Sequence, residues 1–313
     1  MLRSIMTQEL SSKTDSASAT PKRVLTPIGA MPEGPEVRTT VDRLSAISVG
    51  RRIASIDFVN DKYRSKQVRD QVDELVAALP LTIESVNCKG KFIWFELSDG
   101  WTIWNTLGMA GSWRTEPGRH HMLTFVLDDH THLAYNDSRR FGTFKMFHDP
   151  DASLLEAKLA KLGPDLLADP GIDAALWRSR LRARDHRNVC EALMDQKVVS
   201  GIGNYLKAEA LYRARIHPLA RVGDLTDDDL ESLRITATDC IRRSYAAKGA
   251  TLRDYRLPDG TAGQATFEFQ CYNRNYDPHG NTVIAQSTPD KRTTHWVPNV
   301  QVVGAPSEQR ALF

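Results

Sequence analysis

The chain is short of cysteine pairs, long apolar runs and net charge, and each shortage removes a class of function. Its four cysteines, Cys88, Cys190, Cys240 and Cys271, stand far apart, and none forms a CxxC pair. Cysteine-rich zinc sites are thereby excluded, and scattered single cysteines fit a reducing compartment. No apolar run approaches the ~20 residues that a membrane-spanning helix needs, so no membrane partner is expected. Lys and Arg number 41 against 39 Asp and Glu, a net charge of +2. Any affinity for a polyanion must therefore come from local arrangement rather than from total charge. No carboxylate and histidine cluster has metal-ligating spacing, which argues against a metal-dependent nuclease. His279 and His295 have no thiolate company beyond the lone Cys271. Neither a metal nor a cofactor is expected, and no internal repeat stands out.

What is present divides the chain. Residues 1–30 are rich in Ser, Thr and Ala, without a hydrophobic period, and read as a disordered leader or a processed extension. They are mildly basic, which leaves an organelle address open, although Glu9 and Asp15 weaken it. From Met31 the pattern becomes helical: Val37, Val41 and Leu44 fall at i, i+4 and i+7, and Pro35 suits an early helical position. Residues 51–148 read as strands, with RIASIDFV, KFIWFEL, WTIWNTLGM, HMLTFVL and THLAYND as short β-rich runs and Ser98-Asp99-Gly100 as a hairpin turn. Residues 31–150 thus read as an N-terminal β domain headed by a helix, its closely spaced antiparallel strands suggesting a sandwich or a barrel. A linker over 151–170, which holds the helical run SLLEAKLAKLG, leads into a helical part over 171–265 with DAALWRSRLRAR, NVCEALMDQKVV, NYLKAEALYRARI and DDDLESLRITATDCIRRSYAAK. Strand character returns in TFEFQCYN, NTVIAQ and TTHWVPNVQVV, enough for one hairpin over 266–303, before a tail over 304–313. The fold class is α+β.

Several groups of residues carry chemistry. Pro32-Glu33 alone reads as an acidic loop before a helix. If Pro32 had a free secondary amine, its reference pKa near ~8 would leave much of it unprotonated and able to attack carbon, with Glu33 as the acid or base. GIGN at 201–204 is a tight turn between two helices; Gly203 lets backbone amides approach a phosphate, and Asn204 adds a donor at a helix N-terminus. Met109, Arg139 and Phe141 lie on β turns. Separately they read as core residues and a turn charge; together they are the kit for wedging a duplex and filling the gap left by an extruded base. Lys91, at the head of an apolar strand, either snorkels or holds a phosphate. Lys291 and Arg292 sit at the centre of the C-terminal hairpin, where a guanidinium reaches a phosphate without reading sequence. Five arginines between Arg178 and Arg187 read as a solvated face that adds attraction to phosphate.

Taken in order, PEGPEV (32–37), GKFIWFEL, NTLGMAGSW, NDSRRFGTF, KLGPDLL (161–167), CEALMDQKVVSGIGNYLKAEALYRARIHP, GATLRDY with DGTAG, and RTTHWVPNVQ (292–301) resemble the formamidopyrimidine-DNA glycosylase/endonuclease VIII family across 31–301. The resemblance implies an N-terminal β-sandwich headed by a helix, a helix-two-turns-helix motif in the helical half and a base-excision-repair activity: removal of oxidised bases through a Schiff base, then strand cleavage by β,δ-elimination. It implies Pro32 as nucleophile, Glu33 as acid/base, Glu36 as a second acidic residue and Lys91 as a phosphate-binding lysine. Asn204 and Arg292 match the phosphate contacts, and Met109, Arg139 and Phe141 the void-filling triad. The partner implied is damaged double- or single-stranded DNA, bound by a monomer.

Two departures stand out. Val297 and Val300 occupy the last two positions where most of the family has zinc-binding cysteines, with His279 and Thr282 near the first two. The finger is therefore similar to the zincless hairpin of endonuclease VIII-like enzymes. Cys190 stands where bacterial formamidopyrimidine enzymes have a DNA-contacting lysine. Because a peptide bond on Pro32 removes the basic nitrogen, the active species is expected to begin at Pro32. The competing readings are a catalytically silent DNA-binding protein that keeps its leader and a helix-two-turns-helix protein of unrelated role. The segment 249–263 is expected to cover an extruded base or to be an ordinary loop.

Overall fold

A computed structural model describes residues 32–59, 63, 71–168, 170–248 and 267–302. The leader over 1–30, the 249–263 segment and the 304–313 tail lie outside the described residues.

The first half opens with α1 (Gly34–Ser48). Pro35 lies in its first turn, where a missing N–H leaves no helical bond unmade. Val37, Val41 and Leu44, each at most 2% exposed, form the stripe that enters the core. Eight antiparallel strands follow: β1 (Arg52–Phe58), β2 (Leu81–Lys89), β3 (Phe92–Leu97), β4 (Trp101–Thr106), β5 (Gly111–Arg114), β6 (His121–Leu127), β7 (His132–Asp137) and β8 (Thr143–His148). Their hydrogen-bonded order is β5-β7-β6-β1-β2-β3-β4-β8. β1 and β2 share the register pairs Arg52↔Thr82 and Ile53↔Leu81. At that short join the sheet turns on itself into two layers. Phe95 of β3 packs on Phe125 of β6 and Trp113 of β5, and Phe144 of β8 packs on Tyr135 of β7. Those rings fill the space between the layers, giving the expected sandwich. Asp99 and Gly100 both take positive φ, 58° and 73°, as a two-residue turn of type I′ character requires.

The segment read wholly as strands also contains a helix, α2 (Val72–Ala78). It buries Val72 and Leu75 and is too short for its period to separate from an alternating strand. β2, β5 and β8 are strands that the alternating runs do not include.

After β8, the Asp149 carboxylate accepts the N–H groups of Leu154 and Leu155 at 3.1 and 3.0 Å and so starts α3 (Ser153–Ala160). The second half contains α4 (Ala174–Arg182), α5 (Val189–Met194), α6 (Asn204–Arg213) and α7 (Asp227–Ala246). Trp177, Leu193, Leu206, Leu211, Leu230 and Leu233 are buried together in one cluster, and the Trp177 indole N–H donates to Leu230 O at 2.8 Å. α5 ends at Met194, short of the helix read over 188–199. Asp195 turns the chain there, with Val198 N donating to Asp195 O at 2.8 Å. Two turns over 195–203 then lead into α6, completing the helix-two-turns-helix motif.

The hairpin pairs β9 (Ile284–Ser287) with β10 (Thr293–Trp296). The described part of TFEFQCYN forms no strand. The buried Glu209 carboxylate of α6 gathers the N–H groups of Gln270, Cys271 and Tyr272 at 3.1, 2.8 and 2.7 Å. This buried acceptor outcompetes the ladder that the alternating pattern predicted.

Candidate active site and nucleic-acid interface

Pro32 is buried where the two halves meet and lines a cavity of about 320 Å³ together with Lys89, Lys91, Leu107, Lys158 and Gln196. The next residue, Glu33, is 1% exposed. Its carboxylate leaves its own half and lies on the N-terminus of α6, accepting from Gly203 N at 2.8 Å, Tyr205 N at 2.8 Å and Leu206 N at 3.2 Å. Free N–H groups and the helix dipole make this a favourable bed for a carboxylate. Gly203 is required for it: a Cβ there would lie 2.2 Å from Glu33 Cδ. Gly34 N also donates to Gly201 O at 2.9 Å, so the GIGN turn grips the start of α1 from both sides.

Glu36 holds Glu33 from within the first half. Glu33 N donates to Glu36 Oε2 at 2.9 Å. The Tyr205 hydroxyl donates to the Glu36 carboxylate at 3.0 Å and lies 2.9 Å from Ser244 Oγ. Burial pushes the Glu33 carboxyl above the ordinary carboxylate range, opposed by the Lys91 charge and the three backbone N–H groups. Burial likewise pulls the Lys91 ammonium below the usual lysine range; Glu33 and Glu36 oppose this, while Arg292 and Lys207 reinforce it. Lys91, Arg292 and the two glutamates thus share one electrostatic neighbourhood. The turn before Lys91 is pinned to the linker, because Gly90 N donates to Asp165 Oδ2 at 2.8 Å.

Asn204 and Arg292 approach through the hairpin. Asn204 Nδ2 donates to Thr293 O at 2.9 Å, next to Arg292, and its Oδ1 accepts no bond among the described residues. The turns that carry the three proposed wedge residues meet, since a Cβ on Gly108 would lie 2.6 Å from the Phe141 carbonyl carbon. Met109 follows Gly108 in the β4–β5 turn, and Arg139 and Phe141 lie in the β7–β8 turn. Arg139 Nη1 is 3.9 Å from Met109 Sδ, and Phe141 is 60% exposed. Buried Asp137 shapes their turn by accepting from the N–H groups of Arg139, Arg140 and Gly142 and from the Tyr63 hydroxyl, between 2.7 and 3.1 Å.

Three features noted in the sequence take definite form. Within the arginine run, Arg182 and Arg178 pair with Asp227, and Arg187 pairs with Asp195. Their side chains stay 29–45% exposed, in keeping with the solvated face read from the sequence. Cys190 is fully buried, with its thiol 3.3 Å from Pro218 O, so it occupies no DNA-facing position. In the hairpin, Val297 is buried with Cys271 and Tyr212, and Val283 and Val300 pack beside them. Asp277 closes the neighbouring turn, accepting from His279 N, from Asn281 N and Nδ2, and from the Tyr212 hydroxyl. Among the described residues no three His, Cys, Asp or Glu side chains converge as metal ligands. Sequence reasoning does not single out Tyr205, Ser244, Asp137, Asp165 or Lys207. Asp165 and Asp137 lie inside KLGPDLL and NDSRRFGTF, and that membership is the signal that could have found them.

Fold and site together define a two-lobed protein whose Pro-Glu segment is clasped by a helix-two-turns-helix motif. The formamidopyrimidine-DNA glycosylase N-terminal domain model matches residues 31–144, the H2TH domain model 162–256 and the C-terminal domain model 258–302. The formamidopyrimidine-DNA glycosylase of Bacillus subtilis (strain 168) is 32% identical over 280 residues, covering 87% of this chain and 99% of that one. Among solved structures, the MutM (Fpg) protein of Thermus thermophilus superposes with a TM-score of 0.76 at 29% identity, covering 88% of this chain and all of that one. Wild-type Lactococcus lactis Fpg, solved in complex with DNA containing an oxidised pyrimidine, gives 0.74 at 26% identity, with 86% and 98% covered. The chain belongs to the formamidopyrimidine-DNA glycosylase family.

Proposed function

We propose that this chain is a base-excision-repair DNA glycosylase with a coupled lyase activity, acting through the amine of Pro32 in a form of the protein that begins at that residue. The observation that carries the reading is the seating of Glu33, next to Pro32, on the backbone amides of Gly203, Tyr205 and Leu206. This fixes the dyad in the junction where Lys91 and Arg292 gather, as near-attack positioning demands.

The Pro32 amine attacks C1′ of the damaged nucleotide. The C1′–base bond breaks, and the base departs with the bonding electrons and takes up a proton. Glu33, whose carboxyl burial holds above the ordinary carboxylate range, gives a proton to the ring oxygen as the sugar opens; the amine loses its own proton and an iminium forms. Loss of a C2′ proton then expels the 3′ phosphate, and a second elimination expels the 5′ phosphate, each with its electron pair. Water releases the sugar remnant. Lys91, Asn204 and Arg292 hold backbone phosphates, while Met109, Arg139 and Phe141 fill the gap left by the extruded nucleotide. Damaged bases stack and pair poorly, which lowers the cost of extrusion. The valine-packed finger supports the endonuclease VIII-like branch and hence oxidised pyrimidines and ring-opened purines as substrates.

Borohydride trapping on an abasic-site duplex tests this. A chain starting at Pro32 is expected to give a covalent adduct, and the full chain and Pro32→Ala none. An undiminished adduct with Pro32→Ala overturns the assignment. An equal adduct from the full chain overturns the requirement for a free Pro32.

A further inference from the structure

The turn between β9 and β10 carries Lys291 and Arg292, and it is moored to α6 by a buried ion pair. Lys207 Nζ lies 2.5 Å from Asp290 Oδ2, with the two side chains 0% and 3% exposed. The other Asp290 oxygen accepts the Thr288 hydroxyl at 2.5 Å and the Arg292 backbone N–H at 3.4 Å. Thr288 Oγ1 lies 2.7 Å from Thr294 Oγ1, and Thr288 N donates to Arg292 O at 3.0 Å. Both backbone groups of Arg292 are therefore held by the cluster that Lys207 anchors.

A buried ion pair is a poor stabiliser, since desolvation offsets most of the attraction. It is nevertheless directional, and here it orients one short turn. Lys207 belongs to the helix whose first amides bind Glu33. The same helix thus holds Glu33 at one end and, one turn later, the ion pair that moors the Arg292 backbone.

We infer that Lys207 and Asp290 are positioning residues that hold Arg292 in register with Lys91 for one backbone phosphate. The inference rests on Arg292 being a phosphate contact, as proposed above, and the test separates the two claims. Affinity for a duplex containing a tetrahydrofuran abasic analogue is measured across a salt series with the chain starting at Pro32. Arg292→Ala is expected to reduce the slope of log K against log salt by about 0.9, the value for one phosphate contact. An unchanged slope would remove the phosphate contact itself. Given that first result, Asp290→Asn is expected to lose the same slope and about tenfold in affinity, and adding Arg292→Ala to it should cost nothing more. A wild-type slope for Asp290→Asn, or full additivity with Arg292→Ala, overturns the positioning role.

Removing one partner strands a buried charge. The paired replacement Lys207→Met with Asp290→Leu removes both charges, and it is expected to keep the melting temperature within a few degrees while still losing the slope. Recovery of wild-type slope and affinity in that double variant would show that the pair does not place Arg292.

Discussion

At the scale of single residues, Gly203 and Lys91 bear most directly on Glu33. The backbone at Gly203 has φ −129°, which alanine also adopts, so any effect of Gly203→Ala comes from the added methyl. That methyl would sit inside the Glu33 carboxylate, and the acid must leave its bed. Single-turnover excision is expected to fall about 100-fold, as for an ångström-scale misplacement, with about 1–3 kcal/mol lost in thermal unfolding from overpacking. Lys91 acts through charge. Its ammonium lowers a Glu33 pKa that burial has raised, so Lys91→Met should raise it further. If protonated Glu33 is the active form, the alkaline limb of the single-turnover pH–rate profile moves to higher pH. A move to lower pH would mean that another group sets that limb. Pro32, Glu33 and Gly203 were legible in the sequence because their motifs are contiguous. Lys207 and Asp290 were not, since they are 83 positions apart and each alone reads as an ordinary surface charge.

Among the elements, the hairpin best shows what sequence pattern can and cannot give. The valines at 297 and 300 announced a finger without a full cysteine set. They could not announce that Asp277 would gather the neighbouring turn or that Glu209 would collect the amides of 270–272. Asp277 reaches the Tyr212 hydroxyl and Glu209 the 270–272 amides across more than 60 positions, and the second replaced a strand that alternation predicted. α2 was missed for the opposite reason: seven residues are too few to show a helical period. Asp277→Ala is expected to destabilise the finger by about 1–3 kcal/mol, because the buried Tyr212 hydroxyl and the half-buried N–H groups of the turn lose their acceptor. Faster amide exchange confined to 277–283, with α6 still protected, would be its signature. The wedge turns give a second element-scale expectation. Phe141→Ala should weaken binding to a lesion duplex by about tenfold while leaving single-stranded binding unchanged, since only the duplex has a stack to refill. A competition titration with the two DNAs distinguishes these outcomes.

Across the whole molecule, the two lobes are joined by polar contacts that cross the junction: Glu33 to the α6 amides, the Tyr205 hydroxyl to Glu36, Gly90 to Asp165, and the Tyr245 hydroxyl to Asp42 at 2.7 Å. Hydrogen exchange should therefore find the amides of Gly203, Tyr205 and Leu206 protected in the intact chain and released in Glu33→Ala, although the substitution lies about 170 positions away in sequence. Unchanged protection would mean that α6 does not depend on the other lobe. This seating also orders events on the ribosome. Pro32 and Glu33 are made some 170 codons before Gly203, so in a growing polypeptide the Glu33 carboxylate has no α6 amides to rest on. Cleaving the interlobe segment, or making either lobe alone, should likewise leave a silent fragment, and activity should return only when the two pieces reassociate.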